Sequence, residues 1–165
     1  MLKILGAALL VLCGGVLGLG GLKRLREELA FLHAMDGALG IMAAEIELCA
    51  RPLPELFALL GERTGERTRG FFLLAYAKSG EMSAGSAWAE CCRQPSLPKS
   101  ASGALAPLSA VLGAYDAERQ CGEIALARRA LASEAARLEQ KLGSRGQSWP
   151  ALGACLAGVA AMLMI

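Results

Sequence analysis

The chain has 165 residues, of which 55% are hydrophobic, and its 17 lysines and arginines nearly balance its 15 aspartates and glutamates. This length fits one domain with appendages, and the mean hydropathy of +0.44 is high for a soluble protein. Apart from Lys3, every charged residue lies between Lys23 and Arg145. Because these charges nearly cancel, the composition excludes the basic surface by which proteins bind nucleic acids.

The first apolar segment covers residues 4–22, which carry no charge. Since about 20 apolar residues in a helix span a bilayer core of about 30 Å, we predict a transmembrane helix over residues 1–22. The alternative is a cleaved signal peptide, and Cys13 suggests a lipoprotein cleavage site. Leu12 stands where a small residue should precede that cysteine, and the apolar run continues beyond it, so a retained helix is favoured.

A second uncharged segment covers residues 149–165, and we predict a C-terminal transmembrane helix there. Trp149 suits a membrane interface, and Pro150 suits a first helical turn because its missing N–H is not needed there. At about 25 Å the segment is slightly short for a full crossing, so packing against the first span or a partner is an alternative. A buried core helix is another alternative, although such a helix normally shows one polar face.

Basic residues flank both segments on the side of the central region, whereas Lys3 alone lies on the other side. Positive residues favour the cytoplasmic side of a membrane. We therefore predict that residues 23–148 form a cytoplasmic domain. The flanking basic residues are Lys23, Arg24, Arg26, Lys141 and Arg145.

Small residues recur at a spacing of four in both predicted spans. Gly14 and Gly18 form such a pair in the first span, and Ala154 and Gly158 form one in the second. Pairs of this kind let two helix backbones approach closely in lipid. Packing of these two faces on each other is a hypothesis, because the same spacing also arises by chance.

Two stripes of apolar residues with spacings of three, four or seven predict two long helices in the central region. No alternating strand pattern of useful length appears. The predicted fold is therefore all-α, a small helical bundle between two long antiparallel helices that continue into the N- and C-terminal spans. The first stripe is Leu25, Leu29, Leu32, Met35, Leu39, Met42, Ile46 and Cys49, and the second is Ile124, Leu131, Ala135, Leu138 and Leu142.

Prolines and glycines divide the chain between the long helices into shorter elements. Residues 51–54 predict a corner, after which Pro54 begins a helix through Leu60. The tandem repeat GERTGERT, residues 61–68, predicts a solvated turn because it contains two glycines. Residues 69–78 predict a third helix.

The following elements are predicted from capping residues and loop composition. Ser83 is expected to cap a fourth helix in which Trp88 anchors the core. Residues 93–103, rich in Pro, Ser and Gly, predict a flexible loop. A further helix is expected to end near Tyr115, and Asp116 is expected at the N-cap of the last long helix.

The sequence offers little for catalysis. His33 stands alone on a helix, and the adjacent Cys91 and Cys92 point about 100° apart, which does not suit one metal ion. The six cysteines show no C-x-x-C spacing and predict reduced, packed thiols. Glu45 and Glu47 face different directions, so they are no acid–base pair. We predict no catalytic, cofactor-binding, metal or small-molecule site.

Several strings then match one family in order and spacing. The match rests on four features in chain order. They are the residues Glu45, Ile46, Pro52, Leu53 and Glu55, then the string SAWAECC, then the residues Leu112, Gly113, Asp116 and Gln120, and finally Trp149 before the last apolar run. The chain resembles the stage III sporulation protein AB family of endospore-forming bacteria over nearly its full length. The repeat GERTGERT and the high alanine and glycine content depart from that pattern.

The resemblance implies a membrane component of the secretion-like complex that the mother cell builds around the engulfed forespore. It also implies similarity to the platform protein of type II secretion and type IV pilus machines. The central domain would then be a cytosolic adaptor for the complex's secretion-type ATPase, alongside other membrane subunits. The residues expected to contact that partner are Glu45, Pro52, Leu53 and Glu55. Glu45 is open to a second interpretation, as a carboxylate at the edge of the core.

Two competing functions follow from the same sequence. One is a platform subunit of a pilus or type II secretion system that is not tied to sporulation. The other is an exported enzyme with a cleaved signal peptide, against which the missing catalytic constellation argues.

Overall fold

The computed structural model describes the backbone of residues 2–49 and 51–162 and the side chains of residues 21–49 and 51–143. These described residues form six α-helices and one 3₁₀ segment and no strand, so the all-α helical bundle is confirmed. The elements are α1 (Leu2–Cys49), α2 (Leu53–Arg63), α3 (Glu66–Ser79), α4 (Ala84–Cys92), α5 (Lys99–Leu105), the 3₁₀ segment (Ala106–Ala110) and α6 (Ala117–Met162).

The chain divides into two compact units, one made of Met1–Glu27 and Ala136–Ile165 and the other of Glu28–Ala135. We call Glu28–Ala135 the central unit, and it contains all the short helices. The domain bounds 1–22, 23–148 and 149–165 stay predictions. The predicted packing residues Gly14, Gly18, Ala154 and Gly158 lie outside the residues whose side chains are described.

The two long helices pack antiparallel within the central unit, as predicted. Asp36 on α1 binds Arg128 on α6, and the Ala43 carbonyl accepts a hydrogen bond from Cys121 Sγ. Residue numbers therefore rise along α1 as they fall along α6. The predicted stripe on α1 is buried from Leu32 to Ile46, but Cys49 at its end is exposed, because the helix there runs past the core.

Trp88 on α4 anchors the core of the short helices, as predicted. Its side chain is fully buried, and its indole N–H donates to the Leu105 carbonyl over 2.9 Å. The ring of Phe71 meets the indole edge-on at a centroid distance of 4.9 Å, and Phe57 and Phe72 pack at 5.9 and 6.2 Å. Aromatic contacts of this geometry stabilise a core beyond their buried area.

The repeat GERTGERT is not the solvated turn that its composition predicts. Helix α2 continues to Arg63 and α3 begins at Glu66, so only Thr64 and Gly65 join them. Gly61 is buried because the Leu73 side chain occupies the space where a Cβ would lie, only 2.7 Å from Leu73 Cδ2. The first glycine of the repeat therefore serves close helix packing rather than chain reversal.

The predicted loop over residues 93–103 is also shorter in the structure, because Pro98 precedes a helix that begins at Lys99. Ser102 Oγ donates to the Cys92 carbonyl over 2.9 Å and ties α5 to the end of α4. The predicted start of α4 is confirmed, since Ser83 Oγ accepts from the Ser86 N–H at 3.3 Å. Asp116 directly precedes α6, as predicted.

Two glycines in helices give opposite stability predictions. A Cβ on Gly85 would collide with the backbone carbonyl oxygen of Ser109, where α4 crosses the 3₁₀ segment, whereas a Cβ on Gly70 meets no atom within 4 Å. We expect Gly85→Ala to lower the free energy of unfolding by about 1–3 kcal/mol. Gly70→Ala should raise it by roughly 0.5–1 kcal/mol, because alanine restricts the unfolded chain.

Urea denaturation of the full-length protein in mild detergent, followed by circular dichroism, measures both variants. A Gly85→Ala midpoint equal to that of the unaltered protein would contradict the close approach of α4 to the 3₁₀ segment.

Candidate functional site

The candidate site is the corner between α1 and α2. Helix α1 ends at Cys49, Pro52 adopts φ −57° and ψ 136°, and α2 begins at Leu53 with a proline in its first turn. The Leu56 N–H then donates to the Pro52 carbonyl at 3.0 Å. Proline fits both the extended residue and the helix start because its φ is fixed near −65°. The predicted corner is thus present, and α2 starts one residue before Pro54.

Glu45 binds the two sides of this corner together. Its carboxylate accepts from Arg51 Nε at 3.3 Å and lies 3.6 Å from Arg63 Nη1 at the far end of α2. The Glu45 side chain is only 16% exposed, so its pairing with the less exposed Arg51 is the stronger contact, while the pair with Arg63 is screened by solvent. The structure places Glu45 half-buried at the edge of the core and bound to two arginines, while its contact with a partner stays a prediction.

The other residues expected at the contact surface differ in exposure. Pro52 and Glu55 are exposed, and Leu53 is half-buried. Glu45 lies behind them and is largely covered by its arginines. The corner therefore presents Pro52, Leu53 and Glu55 outward and holds them in place from within.

A hollow of about 190 Å³ lies beside the corner, and no sequence pattern predicts it. Its lining residues come from three parts of the chain and are Ile46, Arg51, Leu53, Ala117 and Gln120. Gln120 is 9% exposed, and its Nε2 donates to the Tyr115 carbonyl at 2.6 Å. Its Oε1 is buried and has no hydrogen-bond partner among the described residues. We call this feature the corner hollow.

A second polar contact joins the long helices and was also missed from the sequence. Arg128 donates to Asp36 through Nε at 2.8 Å and through Nη2 at 3.3 Å, a two-point contact. This hydrogen bonding raises the pKa of the Arg128 guanidinium further above its ordinary value. The guanidinium lies over Gly40, where a Cβ would be 3.4 Å from its Cζ. The residues are 92 positions apart, so helical spacing could not pair them.

The family is decided by a comparison with models of known families. The model described as stage III sporulation protein AB matches residues 3–165. The chain belongs to this family. Searches of curated proteins and of solved structures found no match.

Membership in the stage III sporulation protein AB family is consistent with a role in sporulation, and it suggests association with a membrane. Among the residues with described side chains, one helix segment, Gly21–Cys49, is long and apolar enough to cross a bilayer. A core helix passes the same test, and the buried face of this segment from Leu32 to Ile46 belongs to the core of the central unit. Except for Gly21 and Leu22, the predicted spans 1–22 and 149–165 lie outside the residues with described side chains.

The thiols of this family member differ in their surroundings. Burial raises the pKa of the Cys91 thiol from 9.0 to about 11 and that of Cys92 to about 12, while Cys49 is exposed. Both buried thiols are therefore neutral near pH 7. Within residues 21–49 and 51–143, no group of three or more His, Cys, Asp and Glu side chains could hold a metal ion. The lone His33 is exposed.

Removing the charge of Glu45 tests its role in holding the corner. We expect Glu45→Gln to lower the free energy of unfolding by about 1 kcal/mol, since the charged hydrogen bond to Arg51 is replaced by a neutral one. Amide hydrogen exchange at Leu56, whose N–H donates to the Pro52 carbonyl, should become faster because the corner opens more often.

Glu47→Gln is the matched control, because Glu47 lies two residues later on the same helix and is exposed. It should leave both stability and exchange unchanged. Equal exchange rates at the corner in the two variants would show that Glu45 does not hold it.

Proposed function

We propose that this protein is a non-enzymatic membrane component of the secretion-like channel complex that the mother cell builds during endospore formation. In that complex it acts as a platform, or adaptor, for the cytosolic ATPase. The observation that carries the proposal is the corner formed by the exposed Pro52 and Glu55 and the half-buried Leu53, with Glu45 and its two arginines joining its sides. The family match over residues 3–165 supports the link to sporulation.

A platform must bind a partner without deforming when that partner pushes on it. The corner meets this need because it follows directly from the end of α1, a single helix that runs from Leu2 to Cys49. Its charged contacts join Glu45 on α1 to Arg51, two residues before α2, and to Arg63 at the end of α2. The geometry therefore supports a rigid contact point, and its chemistry favours recognition over catalysis.

The proposed location is the mother-cell membrane around the forespore, with the central domain in the cytosol. Membrane spans at residues 1–22 and 149–165 would hold it there, and the small residues Gly14, Gly18, Ala154 and Gly158 would let helices approach in lipid. The partners are the ATPase, other membrane subunits of the complex and the bilayer itself. Nucleic acids and small-molecule substrates are not among them.

Charge reversal at the exposed part of the corner tests the proposed ATPase contact. We expect Glu55→Lys to weaken co-purification of the ATPase with the full-length protein from sporulating cells at least fivefold. The matched control is Glu66→Lys, because Glu66 is likewise an exposed acidic residue in the first turn of a helix. Both variants lose the same favourable interaction with a helix N-terminus.

The Glu66→Lys control distinguishes the loss of a contact at Glu55 from a general loss of stability. If Glu66→Lys weakens co-purification as much as Glu55→Lys does, the corner is not the ATPase contact. If the unaltered protein does not retain the ATPase at all, the platform function itself is wrong.

Cysteine labelling tests the proposed topology. In a variant that keeps only Cys49 and the buried pair Cys91 and Cys92, we expect a membrane-impermeant maleimide to label Cys49 after lysis of spheroplasts and not before. The buried thiols should stay unlabelled at pH 7 because burial keeps them protonated and covered. Both labelling variants are expressed in non-sporulating cells, whose single cell membrane faces the reagent, and a second variant with Leu2→Cys should be labelled there in intact spheroplasts. Labelling of Cys49 before lysis would contradict a cytosolic central domain.

A further inference from the structure

The walls of the corner hollow are mostly apolar and come from three helical regions. Ile46 belongs to the last turns of α1, Leu53 begins α2, and Ala117 begins α6. The hollow measures about 190 Å³ and shares Leu53 with the exposed corner. A partner segment that lies on the corner can therefore place a side chain in the hollow without leaving that surface.

Two polar side chains, Gln120 and Arg51, line the hollow, and the Gln120 oxygen is unusual because it has no described partner. Gln120 Oε1 is buried without a hydrogen-bond partner among the described residues, while Nε2 of the same side chain is already bound to the Tyr115 carbonyl. A buried acceptor without a donor is costly, and native proteins keep one mainly where water, an ion or a ligand completes it. The Gln120 Oε1 atom therefore lacks a donor.

Arg51 supplies donors on the other wall. Its Nε is bound to Glu45, and a guanidinium has five N–H groups. The Glu45 carboxylate accepts from Arg51 at 3.3 Å and also pairs with Arg63, so its single charge is shared between two guanidinium groups. A neutral group that offers one donor and one acceptor fits both walls, and a backbone peptide unit has this composition.

We propose that the corner hollow is an anchor pocket for one apolar side chain from a peptide segment of the partner ATPase. The peptide N–H next to that side chain donates to Gln120 Oε1, and its carbonyl accepts from Arg51. Since Oε1 is covered in the unbound protein, the part-exposed Arg51 side chain shifts as the segment enters. The identity of the ATPase as occupant rests on the function proposed above.

Filling the pocket tests the proposal. We expect Ala117→Trp in the full-length protein to raise the Kd for the purified ATPase at least tenfold, because the indole occupies the hollow. The control is Ala125→Trp, an exposed position on the same helix that does not line the hollow, with a Kd within twofold of the unaltered protein. Equal thermal melting of the two variants shows that any difference arises from binding.

A second variant tests the hydrogen bond. Gln120→Met keeps a side chain of similar length and removes the acceptor, and we expect a three- to tenfold higher Kd. An unchanged Kd for Gln120→Met means that ordinary water satisfies Oε1, and it overturns the peptide hydrogen bond. An unchanged Kd for Ala117→Trp overturns the pocket and leaves the platform function standing.

Photo-crosslinking in sporulating cells separates the pocket from its occupant. A crosslinking amino acid at the exposed Pro52 should capture an ATPase peptide that contains a large apolar residue. Capture of another membrane subunit at this position, lost in Ala117→Trp, overturns the ATPase as occupant. Failure of the ATPase to bind the unaltered protein overturns the proposed function and, with it, this choice of occupant.

Discussion

The buried indole of Trp88 is the contact on which the arrangement of the short helices depends. The chain has only eight aromatic residues, namely four Phe, two Trp and two Tyr, and three of the Phe pack on this one ring. The hydrogen bond from the indole N–H to the Leu105 carbonyl means that the core buries no unpaired donor there. Helices α2, α3 and α4 and the end of α5 are thereby fixed together, and the orientation of α2 determines where the corner points.

The corner separates support from contact. Glu45 carries its charge in a largely covered position, where its two part-exposed arginines join α1 to α2, while Pro52 and Glu55 face solvent. A chain that positions a partner benefits from this separation, because exposed residues can adapt to the partner while the covered ones keep the frame. Gln120 belongs to neither group, since it is buried yet incompletely bonded.

The parts of the fold that the sequence predicted are those set by local rules. The period of the apolar stripe identified the buried face of α1 from Leu32 to Ile46, and capping chemistry identified Ser83 and Asp116. The prediction of a solvated turn over the repeat GERTGERT was wrong, because a glycine in a turn and a glycine packed under a neighbouring side chain look the same in sequence. Only the position of Leu73 shows that Gly61 is the second kind.

What the sequence could not predict about the site depends on contacts between distant segments. The four residues expected to contact a partner were predicted from a resemblance to a family pattern, but that pattern does not tell which of them is covered. Gln120 appeared in the same pattern without a role, since its missing partner becomes visible only when α1, α2 and α6 surround it. The pairing of Asp36 with Arg128 likewise needs the antiparallel register of the two long helices.

The register of α1 against α6 limits how the two helices can slide along each other. The Arg128 guanidinium on α6 lies over Gly40 of α1 and binds Asp36, which is one helical turn before Gly40. This contact fixes the register between α1 and α6. If one helix slid along the other, this contact would break, and the helix would have to move by a whole turn, about 5.4 Å, before the side chains could interlock again. Within the central unit, the two helices are therefore set against gradual slip and can change register only in whole-turn steps.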